Sequence, residues 1–215
     1  RMKLQHLILG PALAGILPLA AADIPVTPEI DAGGRIVNID AVLAVPPPHE
    51  AKIVPDRGMP AIELDGRPFG SMGISSLFLR NMSDADIEAM MHTSGFELNH
   101  ITFTLGEDRL YLDTLNHGTT WTGPDQYDWN PLDRELERIR AINPDTKLIV
   151  QVDLDGAKWW TRLHPEAAAD VAKGIPDYLH PDWKRDARAA IRQMVGHIQS
   201  SPYRDMVIAY TLFNG

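Results

Sequence analysis

From Gly70 onward the sequence predicts an α/β fold, a parallel sheet built from repeated strand and helix units. Three observations predict it. Short apolar runs alternate with amphipathic stretches of helical period, the pattern of parallel strands joined by crossover helices. Long loops follow the apolar runs, where strands would present their C-terminal ends. No G-x-G-x-x-G follows the first run and no P-loop occurs in the chain, so nothing supports a nucleotide fold.

The chain opens on Arg1 and Lys3, followed by the apolar stretch Leu7 to Ala22 and its small-residue ending Ala20-Ala21-Ala22. Basic, apolar, then A-x-A is the pattern of a secretory signal peptide. The stretch is shorter than the roughly 20 residues of a spanning helix. Residues 1–22 are therefore expected to be cleaved, leaving an acidic exported protein, secreted or periplasmic, with no membrane attachment.

Residues 23–60 read as an irregular, proline-rich leader with some β-structure. Ile36 to Val45 is its candidate strand, ahead of the stiff Pro46-Pro47-Pro48 spacer. Ile62 to Phe69 is sharper, because Asp65-Gly66 between alternating apolar residues signals a two-residue hairpin.

The repeats follow. Gly73 to Leu79 is the first strand. Ser83 with Asp86 three residues on resembles a capping box, and Ile87, Met90 and Met91 share the face of the helix it opens. Phe96 to Leu105 is the second strand, followed by a long loop from Gly106 to Asn130. Leu132, Leu136, Ile139 and Ile142 mark the second helix, with Pro131 suited to its first turn. Lys147 to Val152 is the third strand, ending on Asp153-Leu154-Asp155. A second long loop, Gly156 to Asp182, carries Trp159, Trp160 and His164. Ala187, Ala190, Ile191, Met194 and Ile198 outline the third helix, and Met206 to Phe213 is the fourth strand, before Asn214-Gly215.

A (β/α)8 barrel builds its site from the loops after its strands and needs about 250 residues. The span from Gly70 to Gly215 holds about half of that. The expected architecture is a partial (β/α)8 TIM barrel of about four strands over residues 61–215, preceded by a short β-containing N-terminal segment.

Composition narrows the chemistry. Lys plus Arg number 20 against 29 Asp plus Glu, a net charge of −9, which argues against nucleic acid as a partner. With no cysteine there is no disulfide scaffold, thiol nucleophile or cysteine-bound zinc. The histidines are scattered, without H-E-x-x-H, and no metal or cofactor is expected. His164 and His180 each precede Pro and an acid, which reads as helix-entry punctuation.

The candidate binding residues sit at strand ends. Trp159 and Trp160 offer flat apolar faces and N–H donors suited to a pyranose ring. Asp153 and Asp155 lie two apart at the end of the third strand, and Asn214 ends the fourth; all three could hydrogen-bond sugar hydroxyls. Glu107, Trp121 and Asp125 are surface candidates in the preceding loop.

Five stretches in order carry a family resemblance. They are Ile62 to Pro68; Gly95-Phe96-Glu97-Leu98-Asn99; Tyr127-Asp128-Trp129 with Leu132-Asp133; Asn143-Pro144-Asp145 through Asp155 to Trp159-Trp160 and His164-Pro165-Glu166; and Ser201-Pro202-Tyr203 to Gly215. Together they resemble the N-terminal half of secreted clan A glycoside hydrolases of the β-galactosidase-like branch. The pattern departs at Ala209, where the family usually has Gly, and at Ala157-Lys158 ahead of the tryptophan pair. The resemblance implies a retaining hydrolase of O-glycosidic bonds acting on an oligosaccharide or polysaccharide. It places both catalytic Glu residues beyond Gly215, so no catalytic residue is expected in this chain. The competing expectation is an exported carbohydrate-binding α/β protein without catalysis.

Overall fold

The computed structural model describes residues 26–69, 74–76, 83–94, 98–104, 120–153 and 157–213. The predicted signal peptide, Glu107, Asp155 and Asn214 lie outside them. Among the described residues no helix is long and apolar enough to cross a membrane.

The N-terminal segment holds a short helix, α1 (Ile39–Leu43), then a three-stranded antiparallel meander of β1 (Ala51–Asp56), β2 (Met59–Leu64) and β3 (Arg67–Phe69). The Asp65-Gly66 hairpin forms as its sequence predicts. Both residues take positive φ, 51° and 79°, as a two-residue turn matched to strand twist requires. Arg57-Gly58 repeats the geometry between β1 and β2, at 49° and 83°. Arg-Gly is a weaker turn signal than Asp-Gly, which is why β1 reads as irregular leader.

The candidate strand at Ile36 to Val45 is corrected. That stretch holds α1, and its one β-contact is a bridge from Ile36 to Ile30. Long-range packing decides the conformation. Val42 is buried, Ile39 approaches Gly196 so closely that a Cβ there would strike its side chain, and Arg192 pairs with Asp40. Residues three apart can meet one surface only if the segment is helical.

The main sheet has four strands: β4 (Ile74–Ser76), β5 (Leu98–Thr104), β8 (Lys147–Asp153) and β11 (Val207–Phe213). They lie side by side in chain order and all pairings are parallel. α2 (Asp84–Ser94) joins the first two, with Ser83 and Asp86 closing the expected cap. α3 (Asn130–Ile142) and α5 (Pro181–Ser200) make the other crossovers. Leu148, Val150 and Val152 alternate on the buried side of β8 and join Leu132, Leu136 and Ile139 of α3 and Ala187, Ala190, Met194 and Ile198 of α5 in one core. His180 caps α5, its Nδ1 accepting from the Asp182 amide at 3.3 Å. The described sheet is open. The mixed α/β class holds, and no closed barrel is present among the described residues.

Both long loops carry structure that their sequence hides. The first contains the hairpin β6 (Trp121–Gly123) and β7 (Gln126–Tyr127). The second contains α4 (Lys158–Leu163), a 3-10 turn at Pro165–Ala167 and the small pair β9 (Ala168–Asp170) and β10 (Ile175–Pro176).

The hairpin β6–β7 is stitched to residues 31–35. Tyr127 N donates to Gly33 O at 2.7 Å, Trp129 Nε1 to Gly34 O at 2.8 Å, and Arg35 pairs with Asp125 at 3.0 Å. Gly34 has φ +78°, and a Cβ would run into the Tyr127 carbonyl. Gly34→Ala combines backbone strain with a clash against main chain. It is expected to cost about 1–3 kcal/mol, read as a lower urea midpoint.

Candidate functional site

The segments after β5 and β8 converge on a niche of about 140 Å³ on the C-terminal side of the sheet. Trp121 and Tyr127 come from β6 and β7, Trp159, Trp160 and His164 from α4 and its end, and Asp186 from the start of α5. Aromatic faces and carboxylates make up its lining.

α4 separates the predicted tryptophan pair. Neighbours on a helix point about 100° apart, so the two rings, though both border the niche, differ in burial. Trp159 is half-buried. Its ring stands edge-on to Trp121, with centroids 4.9 Å apart, and its Nε1 donates to the Trp121 carbonyl at 3.0 Å. Trp160 is 0% exposed. It packs against Trp183 at 5.0 Å, stacks on His164 at 4.5 Å and donates from Nε1 to Asp186 Oδ2 at 3.0 Å. Trp160 is thus a core residue bordering the niche, not an open platform for a sugar.

Trp121 is also corrected. The sequence offers it as a surface residue, yet it is buried to 3% exposure between Trp159 and Trp183. Asp125 stays exposed at the hairpin turn, with φ 52°. Asp153 is buried at the end of β8, in register with Thr104 and Phe213.

Sequence reasoning missed Tyr127 and Asp186 as lining residues. Their signals are faint but physical. Trp121 and Tyr127 flank Pro124-Asp125 as a hairpin pair would, and Asp186 lies three residues after Trp183 on the same buried turn of α5.

The protonation states follow from these contacts. Burial alone would push the Asp186 carboxyl up. The Arg185 and Trp160 hydrogen bonds outweigh it and hold Asp186 below the usual carboxylate range. Burial pushes the Tyr127 phenol up, and Asp125 adds to the effect. The niche therefore presents a charged carboxylate acceptor and a neutral phenol, groups that suit hydroxyl-bearing ligands. No group of three His, Asp or Glu among the described residues is placed to hold a metal ion.

No family model matches the chain, and no curated protein sequence matches it. Among solved structures, the endo-1,4-beta-mannanase of Rhizomucor miehei is similar with a TM-score of 0.44 and 15% identity. The match covers 71% of this chain and 46% of that one, so the chain spans less than half the length of that enzyme. It does not single out the β-galactosidase-like branch.

Proposed function

We propose that the chain forms the first strand–helix units of a carbohydrate-active enzyme of the glycoside hydrolase type. One arrangement carries the reading. The parallel strands add sideways in chain order, and a niche of aromatic rings and carboxylates lies on their C-terminal side. Doubly wound nucleotide-binding sheets reverse direction at a switch point; a (β/α)8 barrel adds its strands in one direction and builds its site at that face.

In this reading the chain supplies one wall of a sugar site. Trp159 and Tyr127 offer apolar surface, and Asp186 and Asp153 accept from hydroxyls. Asp155 and Asn214, outside the described residues, keep in this reading the sugar-binding role expected from the sequence. The finer form is a retaining, exported enzyme of the β-galactosidase-like branch. Its two carboxyl groups stand about 5–5.5 Å apart, one protonating the leaving oxygen and the other forming a glycosyl-enzyme that water hydrolyses. In this reading both come from sequence beyond Gly215.

The test is hydrolysis. The chain extended by its own downstream coding sequence is assayed on a panel of nitrophenyl glycosides and polysaccharides. Turnover that is lost when either of two strand-end Glu residues becomes Gln supports the reading. An extended protein that keeps both Glu residues and cleaves no glycoside overturns it.

A second reading, carbohydrate binding without catalysis, rests on the same niche of aromatic rings and carboxylates. It is tested by tryptophan fluorescence titration of the 215-residue chain with neutral oligosaccharides. Saturable binding that weakens about tenfold in Trp159→Ala, the scale of one lost aromatic contact, supports it; a flat titration excludes it.

A further inference from the structure

The hairpin β6–β7 has two faces, and the niche uses one of them. Trp121 and Tyr127 pair across the hairpin and are buried, whereas Thr122 and Gln126 alternate with them and are exposed. On that outer side residues 31–34 meet the hairpin and leave an open groove of about 700 Å³. Asp31, Gly33, Gly34, Thr122, Gln126 and Tyr127 line it. Tyr127 borders the groove and the niche alike.

The groove is formed in advance of any ligand, as binding sites usually are. Its two walls are tied together by the bonds from Tyr127 N to Gly33 O at 2.7 Å and from Trp129 Nε1 to Gly34 O at 2.8 Å. Asp31 shapes the turn beside them, its Oδ1 accepting from the amides of Gly33 and Arg35, each at 3.0 Å. Gly33 and Gly34 carry no side chain, which keeps that wall low.

The lining selects the chemistry of a ligand. The Thr122 hydroxyl and the Gln126 amide each donate and accept, and the Asp31 carboxylate accepts. Among the described residues, neither the Thr122 nor the Gln126 side chain has a hydrogen-bond partner, so both are open to a ligand. Asp31 faces Arg35 Nε at 3.3 Å, and Arg35 also pairs with Asp125 at 3.0 Å. The charges are met within the protein, with no cation left over to hold a phosphate or a carboxylate. A neutral, hydroxyl-rich ligand fits this lining.

Size adds a second constraint. The niche, at about 140 Å³, is smaller than the about 300–1,000 Å³ of an ordinary small-molecule site, whereas the groove falls inside that range.

We propose that niche and groove are successive parts of one binding surface, and that its ligand is a chain of neutral sugars crossing the hairpin past Tyr127. One ring occupies the niche. The following units lie in the groove, where Thr122 and Gln126 bond their hydroxyls and Asp31 accepts from one of them. The proposal rests on the carbohydrate reading and narrows it: the substrate class is a neutral oligosaccharide or polysaccharide, not a single sugar with a small aglycone.

An NMR titration of the 215-residue chain with neutral β-linked mono- to pentasaccharides of glucose, mannose and galactose tests it. For the sugar that binds, affinity should rise about tenfold from the monosaccharide to the longer chains, the scale of one or two net hydrogen bonds. The amides of Gly33, Gly34 and Gln126 should shift with the longer chains and stay still with the monosaccharide. The double variant Thr122→Val, Gln126→Ala changes two exposed side chains; it should keep the monosaccharide affinity and lose the gain. Equal affinity at every length, or a gain that survives in the double variant, overturns the groove and leaves the carbohydrate reading standing. So do longer chains that bind the wild type without moving those three amides, a result that needs no variant to fold. Absence of binding at every length also overturns the groove, whereas the hydrolase reading is decided separately, by turnover of the extended protein.

Discussion

Trp160→Ala is expected to destabilise the protein by about 3–5 kcal/mol, the range for truncating a buried tryptophan. The side chain is fully enclosed, between Trp183 and His164, so its removal leaves a void that neighbours fill only in part. It also takes away the N–H that Asp186 accepts at 3.0 Å, leaving a partly buried carboxylate with less support. Against a total stability of about 5–15 kcal/mol, this is a large share. Guanidinium denaturation followed by far-UV circular dichroism should show the midpoint collapse. Trp159→Ala should cost clearly less, because its ring is only half-buried. If Trp160→Ala kept full stability and lost only sugar affinity, the ring would be a stacking platform and its place in the core would be wrong.

The contrast between these neighbours shows what the sequence makes legible. Elements resting on local periodicity are readable: the α3 face of Leu132, Leu136 and Ile139, the alternation Leu148, Val150, Val152, and the Ser83 and His180 caps all appear where their spacing puts them. So does the Asp65-Gly66 hairpin, because two consecutive positive φ angles select those residues. The site is less readable. Trp159 and Trp160 look equivalent in sequence, and only the phase of a six-residue helix inside a presumed loop separates them. Trp121 is placed by partners far along the chain, Trp159 and Trp183. Of the five predicted binding residues, Asp153, Trp159 and Trp160 fall within the described residues; Trp159 and Trp160 border the niche.

The same limit explains the N-terminal segment. No pattern within residues 30–43 announces that they belong to the core. The information sits in α5, where Gln193 and Gly196 form a receptor for them. Gly196 leaves space for Ile39, and Gln193 places both ends of its amide on the backbone of Ile36. A segment that reads as an irregular leader is thus an integral layer of the fold, held by contacts across 157 residues of sequence.

Gln193→Leu should therefore release that layer. The Gln193 Oε1 accepts from Ile36 N at 2.7 Å and its Nε2 donates to Ile36 O at 2.9 Å, in a place where Ile36 is 1% exposed. The amide completes for Ile36 what a neighbouring strand would. Leucine fills nearly the same volume, so packing is kept and the hydrogen bonds alone are removed. Two buried backbone groups then lack partners, at about 1–3 kcal/mol each, for a total of about 2–6 kcal/mol unless the segment detaches. Detachment is the cheaper course, since water then satisfies both groups while the burial of Ile36 and Val42 is given up. Limited proteolysis should accordingly show new cleavage within residues 30–45 of Gln193→Leu, together with a lowered denaturation midpoint. Gln193→Glu separates the two bonds: its carboxylate still accepts from Ile36 N but has no donor for Ile36 O, so one backbone group loses its partner instead of two and the release should be partial. A Gln193→Leu protein with unchanged proteolysis and midpoint would mean that apolar contacts with α5 suffice to hold the segment, and that the paired amide adds nothing to its docking.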